Sequence, residues 1–190
     1  MIKIGKDISS FSAYSYKPES LRELRRIINE RISKEGPNCD LNDIDVSQID
    51  NMSLLFTNSI FNGDISNWDV SNVTDMSWMF SGSKFNGDIS RWNVSKVKHM
   101  FNMFTKSVFN GDISKWNVSN VEIINDMFFN SKFNQTIGDW DVSNVKRMGW
   151  MFAGSDFNQD ISKWKIRKDC DTTNMFAGTP IKIKFKPKLL

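Results

Sequence analysis

FNGDISNWDVSNVTDMSWMFSGSK, residues 61–84, is followed without a gap by FNGDISRWNVSKVKHMFNMFTKSV, residues 85–108. The same 24-residue phrase restarts at Phe109, Phe133 and Phe157. A tryptophan keeps the same phase throughout, at Trp68, Trp92, Trp116, Trp140 and Trp164. A degenerate copy comes first, with Leu41, Ile44, Val46, Ile49, Met52, Leu55 and Phe56 in the apolar positions. The last copy keeps Ile161, Trp164, Met175 and Phe176, but carries Asp169 and Thr172 where Val and Met are expected. Six units therefore run from about residue 37 to 180. Decayed terminal units are what a stacked array needs at its ends.

Within a unit, Ile65-Ser-Asn-Trp68-Asp-Val70 ends in alternation and suits a short strand. Val73, Met76, Met79 and Phe80 are spaced by three and four, which predicts one or two turns of helix. One strand and one helical return per unit predicts an α/β repeat, a leucine-rich-repeat-like solenoid of six 24-residue units. Ahead of it, residues 1–36 read as a cap with an amphipathic helix over 18–35, striped by Leu21, Leu24, Ile28 and Ile32. Pro18 near its start and Gly36 past its end are ordinary helix punctuation. Residues 181–190 follow the array and are basic. The alternation from Ile181 to Lys188 predicts an edge strand or tail whose lysines block further stacking. Contact with phosphates or an acidic partner is its second reading.

Composition excludes several classes. Seven Trp, 15 Phe and 10 Met against 2 Tyr are the skew of one short pattern copied many times, and 39% hydrophobic residues suit a globular chain. No apolar run approaches the roughly 18 residues of a membrane span. The start, MIKIGKDISSFSAYSY, lacks the apolar stretch of a signal peptide. The expected location is the cytoplasm, or the cell surface if a leader has been trimmed. A net charge of +3 is too mild to argue for nucleic acid. A single histidine, His99, and two cysteines, Cys39 and Cys170, leave no zinc cluster and no histidine-based catalysis. His99 and Cys170 fall three units apart, roughly 15 Å along a stack, and the two cysteines lie too far apart to bridge.

The phrase FNGDISNWDVSNVTDMSWMF resembles the BspA-like leucine-rich-repeat surface proteins of bacteria, including the mycoplasma-type lipoprotein repeats. Residues 37–180 carry the resemblance. It implies a solenoid and a binding role, often adhesion to host or microbial surfaces. The ordinary leucine-rich-repeat signature is met only approximately, as Ile65-x-x-Trp68-x-Val70 with Asn72 one place early.

Candidate site residues are sought where the copies differ. The strand positions flanking Trp and Val point away from the core and form a mixed-charge stripe, including Arg91, Lys115, Asp139 and Asp141. Trp78 and Trp150 share one phase where other units carry Asn or Asp, and Phe101 stands beside that phase. Large aromatics at an otherwise polar position are candidate interface anchors, or they pack over neighbouring side chains. Lys96, Lys98, Lys146 and Arg147 form a basic group. The recurrent Asn-Gly-Asp turn reads as a structural ladder, because Thr136 interrupts the carboxylate column that calcium would need. The Trp and Met columns read as core.

These readings give a protein–protein interaction module with a rigid surface, no catalysis, no metal and no cofactor. The expected partner is another protein. A surface adhesin binding a host protein or glycan is the second reading. A small intracellular inhibitor of phage or effector type, blocking a nucleic-acid-handling enzyme, is the third. Nucleic acid itself is left to the basic C-terminal segment.

Overall fold

The computed structural model describes residues 14–188. Its helices, among the described residues, are α1 (Leu21–Glu35) and a 3₁₀ turn, Ile183–Phe185. Helix α1 starts three residues later than Pro18 suggests, because the Ser20 side chain caps it by accepting from the Glu23 N–H. Its C-terminus closes at Gly36, whose φ of 92° favours glycine. Leu24, Ile27 and Ile28 are buried, with Leu21 and Ile32 packed beside them. The contact face thus includes Ile27, which the stripe of four omits. Arg25 donates to the Ser53 carbonyl at 2.6 Å, and Arg31 binds Asp43 at 2.9 Å, so the helix is fastened to the first unit.

Each unit is a run of tight corners rather than a strand and a helix. The sequence Asp-apolar-Ser-x-apolar occurs three times in residues 64–79, as Asp64–Trp68, Asp69–Val73 and Asp75–Met79. In each corner the carboxylate accepts the N–H two residues on, at Ser66, Ser71 and Ser77, over 2.8 to 3.0 Å. The first apolar carbonyl then accepts the N–H of the second, from Ile65 to Trp68, Val70 to Val73 and Met76 to Met79. Both apolar side chains of every corner point inward and are at most 4% exposed. A fourth turn joins Phe80 to Ser83 through Gly82, at φ 65°. Only a residue that tolerates that region suits the position. The helical turns expected over Val73–Phe80 are therefore absent. Successive three-residue turns share their spacing of three and four with a helix. The strand expected over Ile65–Val70 is likewise two corners, and among the described residues β pairing is confined to isolated bridges.

Five of those bridges form one parallel column spaced by one unit, from Asn51 through Asp75, His99, Ile123 and Arg147 to Asp171. Past each bridge, alternate amides donate forward to the following unit. Met76 binds His99, Trp78 binds Phe101, Phe80 binds Met103 and Gly82 binds Thr105, over 2.8 to 3.0 Å. Identical rings then stack in register. Phe56, Phe80, Phe104, Phe128, Phe152 and Phe176 form one column at 5.4 to 6.0 Å. A second column runs from Phe61 to Phe157 at 6.0 to 6.4 Å. The columns interleave, with centroids as close as 4.0 Å. Every buried tryptophan in phase with Trp68 donates its indole N–H to a carbonyl of the preceding unit, as Trp92 does to Ile65. The Asn62 side chain accepts from the Asn86 N–H, and the ladder repeats to Lys182.

Among the described residues the N–H groups of Thr172, Asn174, Phe176 and Gly178 find no acceptor, so this ladder is open at its C-terminal end. The segment that follows is not the edge strand that its alternation suggests. It forms the single 3₁₀ turn, with Ile161 donating to the Phe185 carbonyl at 3.0 Å and Ile183 almost fully exposed. Lys182 and Lys184 lie over the Phe185 ring and Lys186 over Phe176, at 5.2 to 5.6 Å.

The corner carboxylates make the array sensitive to acid. Asp64, Asp88 and Asp112 are held below the ordinary value of 3.8, chiefly by the N–H of the serine two residues on. A carboxylate with a lowered folded value contributes stability that is present above its unfolded value and is lost as pH falls through the folded one. The thermal midpoint is therefore expected to hold from neutrality to about pH 5 and to fall below about pH 4. Asp88→Asn/Asp112→Asn, which keeps the acceptor oxygen, should show a shallower acid limb. An unchanged limb contradicts the assignment.

Candidate partner-binding surface

With the interior committed to identical columns, chemical variety is confined to the outside. Trp78 and Trp150 occupy the third position of the Met76 and Met148 turns, at φ 60° and 56°. The same position in other units holds Asn102, Asp126 and Asn174, also at positive φ. The polar residues are there because Asn and Asp tolerate the left-handed region. A tryptophan there is unfavourable by about 1–2 kcal/mol on backbone grounds. Leu54 pays the same strain in the first unit and is 47% exposed.

Trp78 is half-buried and meets the half-buried Phe101 edge to face, with centroids 6.0 Å apart. Trp150 is 41% exposed and meets Phe129 in the same way at 6.2 Å. The surface thus carries two aromatic pairs, separated by Asn102 and Asp126. Phe129 is the member that the sequence reading misses. Its phase otherwise holds Thr57, Ser81, Thr105, Ala153 and Ala177, so the comparison that singles out Trp78 would have found it.

The remaining expected residues separate into two faces. Arg91, Lys115, Asp139 and Asp141 are exposed on the stripe beside the Trp column. Asp139 faces Lys163 at 3.8 Å, and the Asp141 carboxyl is held below its ordinary range by Ser143. Lys98 and Arg147 stand on the bridge side instead. Lys98 lines a groove of about 560 Å³ with Lys96, Lys146 and Arg167. The Lys146 ammonium reaches Glu122 at 2.5 Å and pulls the Glu122 carboxyl below its ordinary value.

Cys39 and Cys170 are free thiols, and burial pushes the Cys170 thiol up to about 11. His99 sits 3.8 Å from the Asp75 carboxylate, in the bridge column. Among the described residues no group of three His, Cys, Asp or Glu is placed to hold a metal ion. No described helix is long and apolar enough to cross a membrane.

The class defined by these observations is a stack of near-identical 24-residue units with a varied outer surface. The chain belongs to the family described as Mycoplasma protein of unknown function, DUF285, which it matches over residues 24–131 and again over 105–184. The two overlapping matches reflect the internal repeat. Comparison with curated proteins finds no significant match, and neither does comparison with solved structures.

The surface and core tryptophans should separate in unfolding experiments. Trp150→Asn relieves the strained turn while losing partial contact with Phe129, so its stability to urea should stay within about 1 kcal/mol of the parent. Trp116→Ala removes a buried ring and the indole bond to Ile89, and should cost about 3–5 kcal/mol. A comparable loss for Trp150→Asn would make that ring structural.

Proposed function

We propose that the chain is a leucine-rich-repeat-like solenoid of the BspA-like kind whose rigid outer surface binds another protein and performs no chemistry. The observation that carries this reading is the pair of aromatic clusters, Trp78 with Phe101 and Trp150 with Phe129. Each places a large ring on the surface at a strained turn position that Asn or Asp would fill without strain. Tryptophan is the residue most enriched among interface hot spots. The register that fixes the units also supports the reading, because a preordered surface loses little conformational entropy on association.

The experiment is an affinity capture with the intact chain, comparing the parent with Trp78→Ala/Trp150→Ala. The proposal expects one stoichiometric protein that the double variant loses while its thermal midpoint stays near that of the parent. Equal capture by the variant would remove the aromatic pairs from the interface. Failure of the parent to retain any stoichiometric protein would overturn the binding role.

A further inference from the structure

The groove bearing Lys98 runs along the stack rather than around one unit. Its lining residues come from five consecutive units, starting at Thr74 and ending at Arg167. One lip is the column Asn72, Lys96, Asn120, Asn144 and Lys168, and the other is Thr74, Lys98, Glu122 and Lys146. The valine column lies buried beneath. The amides of Asn72, Asn120 and Asn144 are turned down onto backbone carbonyls, at Ser47, Ser95 and Ser119, over 2.7 to 2.9 Å. That fixes each Asn by its nitrogen. Among the described residues the side-chain oxygens of Asn120 and Asn144 accept no hydrogen bond. They are carbonyl acceptors of fixed position along the groove.

Positive charge gathers at its two ends. Lys96 touches only the neutral Asn72 oxygen, at 2.8 Å, and no described carboxylate lies within ion-pair distance of Lys96 or Lys98. At the far end stand Lys146 and Arg167, flanked by Arg147 and Lys168. Lys146 is paired with Glu122 and Arg167 holds Asp169 through two nitrogens, so the positive charge left over at this end is that of Lys168 on the lip. The middle unit contributes Asn120 and Glu122 but no cation. With units stacked at about 4.8 Å, two to three steps put the cationic ends about 10–14 Å apart. An extended peptide advances about 3.3 Å per residue and returns to the same face every second residue. Carboxylates four residues apart span about 13 Å on one face and meet both ends. Carboxylates two residues apart would place one above Glu122. Single-stranded nucleic acid fits worse, because the lining holds no aromatic ring for a base to stack on and Glu122 interrupts the phosphate path.

We infer that this groove docks an extended acidic segment of a partner protein, its carboxylates held at the two cationic ends and a backbone N–H group on the Asn120 or the Asn144 oxygen. The inference rests on the binding role proposed above and names a site and a partner chemistry for it.

Fluorescence anisotropy of the full chain with labelled synthetic peptides tests it. The probes are Gly/Ser peptides carrying two glutamates spaced by four residues or by two, the same peptides with glutamine, and oligothymidylate. The expected result is salt-sensitive binding of the four-residue spacing, weaker binding of the two-residue spacing, and none of the glutamine peptide. Lys96→Glu/Lys98→Glu should weaken it by about tenfold or more, whereas Lys96→Arg/Lys98→Arg retains it, both with an unchanged thermal midpoint. No binding of any glutamate peptide overturns the inference. So does indifference to the charge reversal, or tighter binding of oligothymidylate. The two readings fail separately. If the intact chain still captures a protein that Lys96→Glu/Lys98→Glu does not disturb, the groove is wrong and the binding role stands. Absence of any captured protein, with the peptide profile intact, removes only the wider role.

Discussion

Four alternate amides of each inner unit, at the phases of Met76, Trp78, Phe80 and Gly82, reach a carbonyl only on the unit that follows. A buried amide without a partner is costly, so a unit cannot close its own backbone and the copies must stack in register. The rest of the molecule follows from that requirement. Register places Phe over Phe and Trp over Trp, which fills the interior with near-parallel rings and sends each indole N–H to the unit before it. It also gives the two ends different needs. The first unit receives α1, whose Arg25 supplies a donor to the Ser53 carbonyl. The last unit keeps four amides without acceptors among the described residues.

Much of this arrangement is legible in the amino-acid sequence. The period, its phase and nearly every buried residue follow from sliding the chain along itself, because in-register stacking demands identity at buried positions. Local conformation is harder to read. Val73, Met76, Met79 and Phe80 have helical spacing, yet tandem three-residue turns bring every third or fourth residue to the same side as a helix does. The signal that decides between them is the Asp-apolar-Ser-x-apolar phrase, in which the carboxylate caps an amide two residues on. A helix interior offers no free amide for that bond. The basic C-terminal segment misleads for a related reason. Alternation records which side chains are apolar, and Ile183 is exposed all the same.

The outer surface was legible where a residue contradicts its column. Trp78, Trp150 and Phe101 were visible in that way, and Phe129 could have been. The polarity of the Trp78 phase has a cause that the sequence conceals, namely left-handed backbone that Asn and Asp accept readily. That turns an unusual substitution into a strained one and strengthens the case for an external role. The basic groove depended on knowing which columns adjoin. Lys96 and Lys98 were legible as a group, but the fixed asparagine oxygens between them and Arg167 appear only once the units are stacked.

The central claim is that backbone closure passes from unit to unit, and amide hydrogen exchange resolved by residue tests it directly. The account predicts slow exchange repeating every 24 residues at Met76, Trp78, Phe80 and Gly82 and at their equivalents through the inner units, with fast exchange at Thr172, Asn174, Phe176 and Gly178. Equally slow exchange at those four amides of the last unit would contradict it.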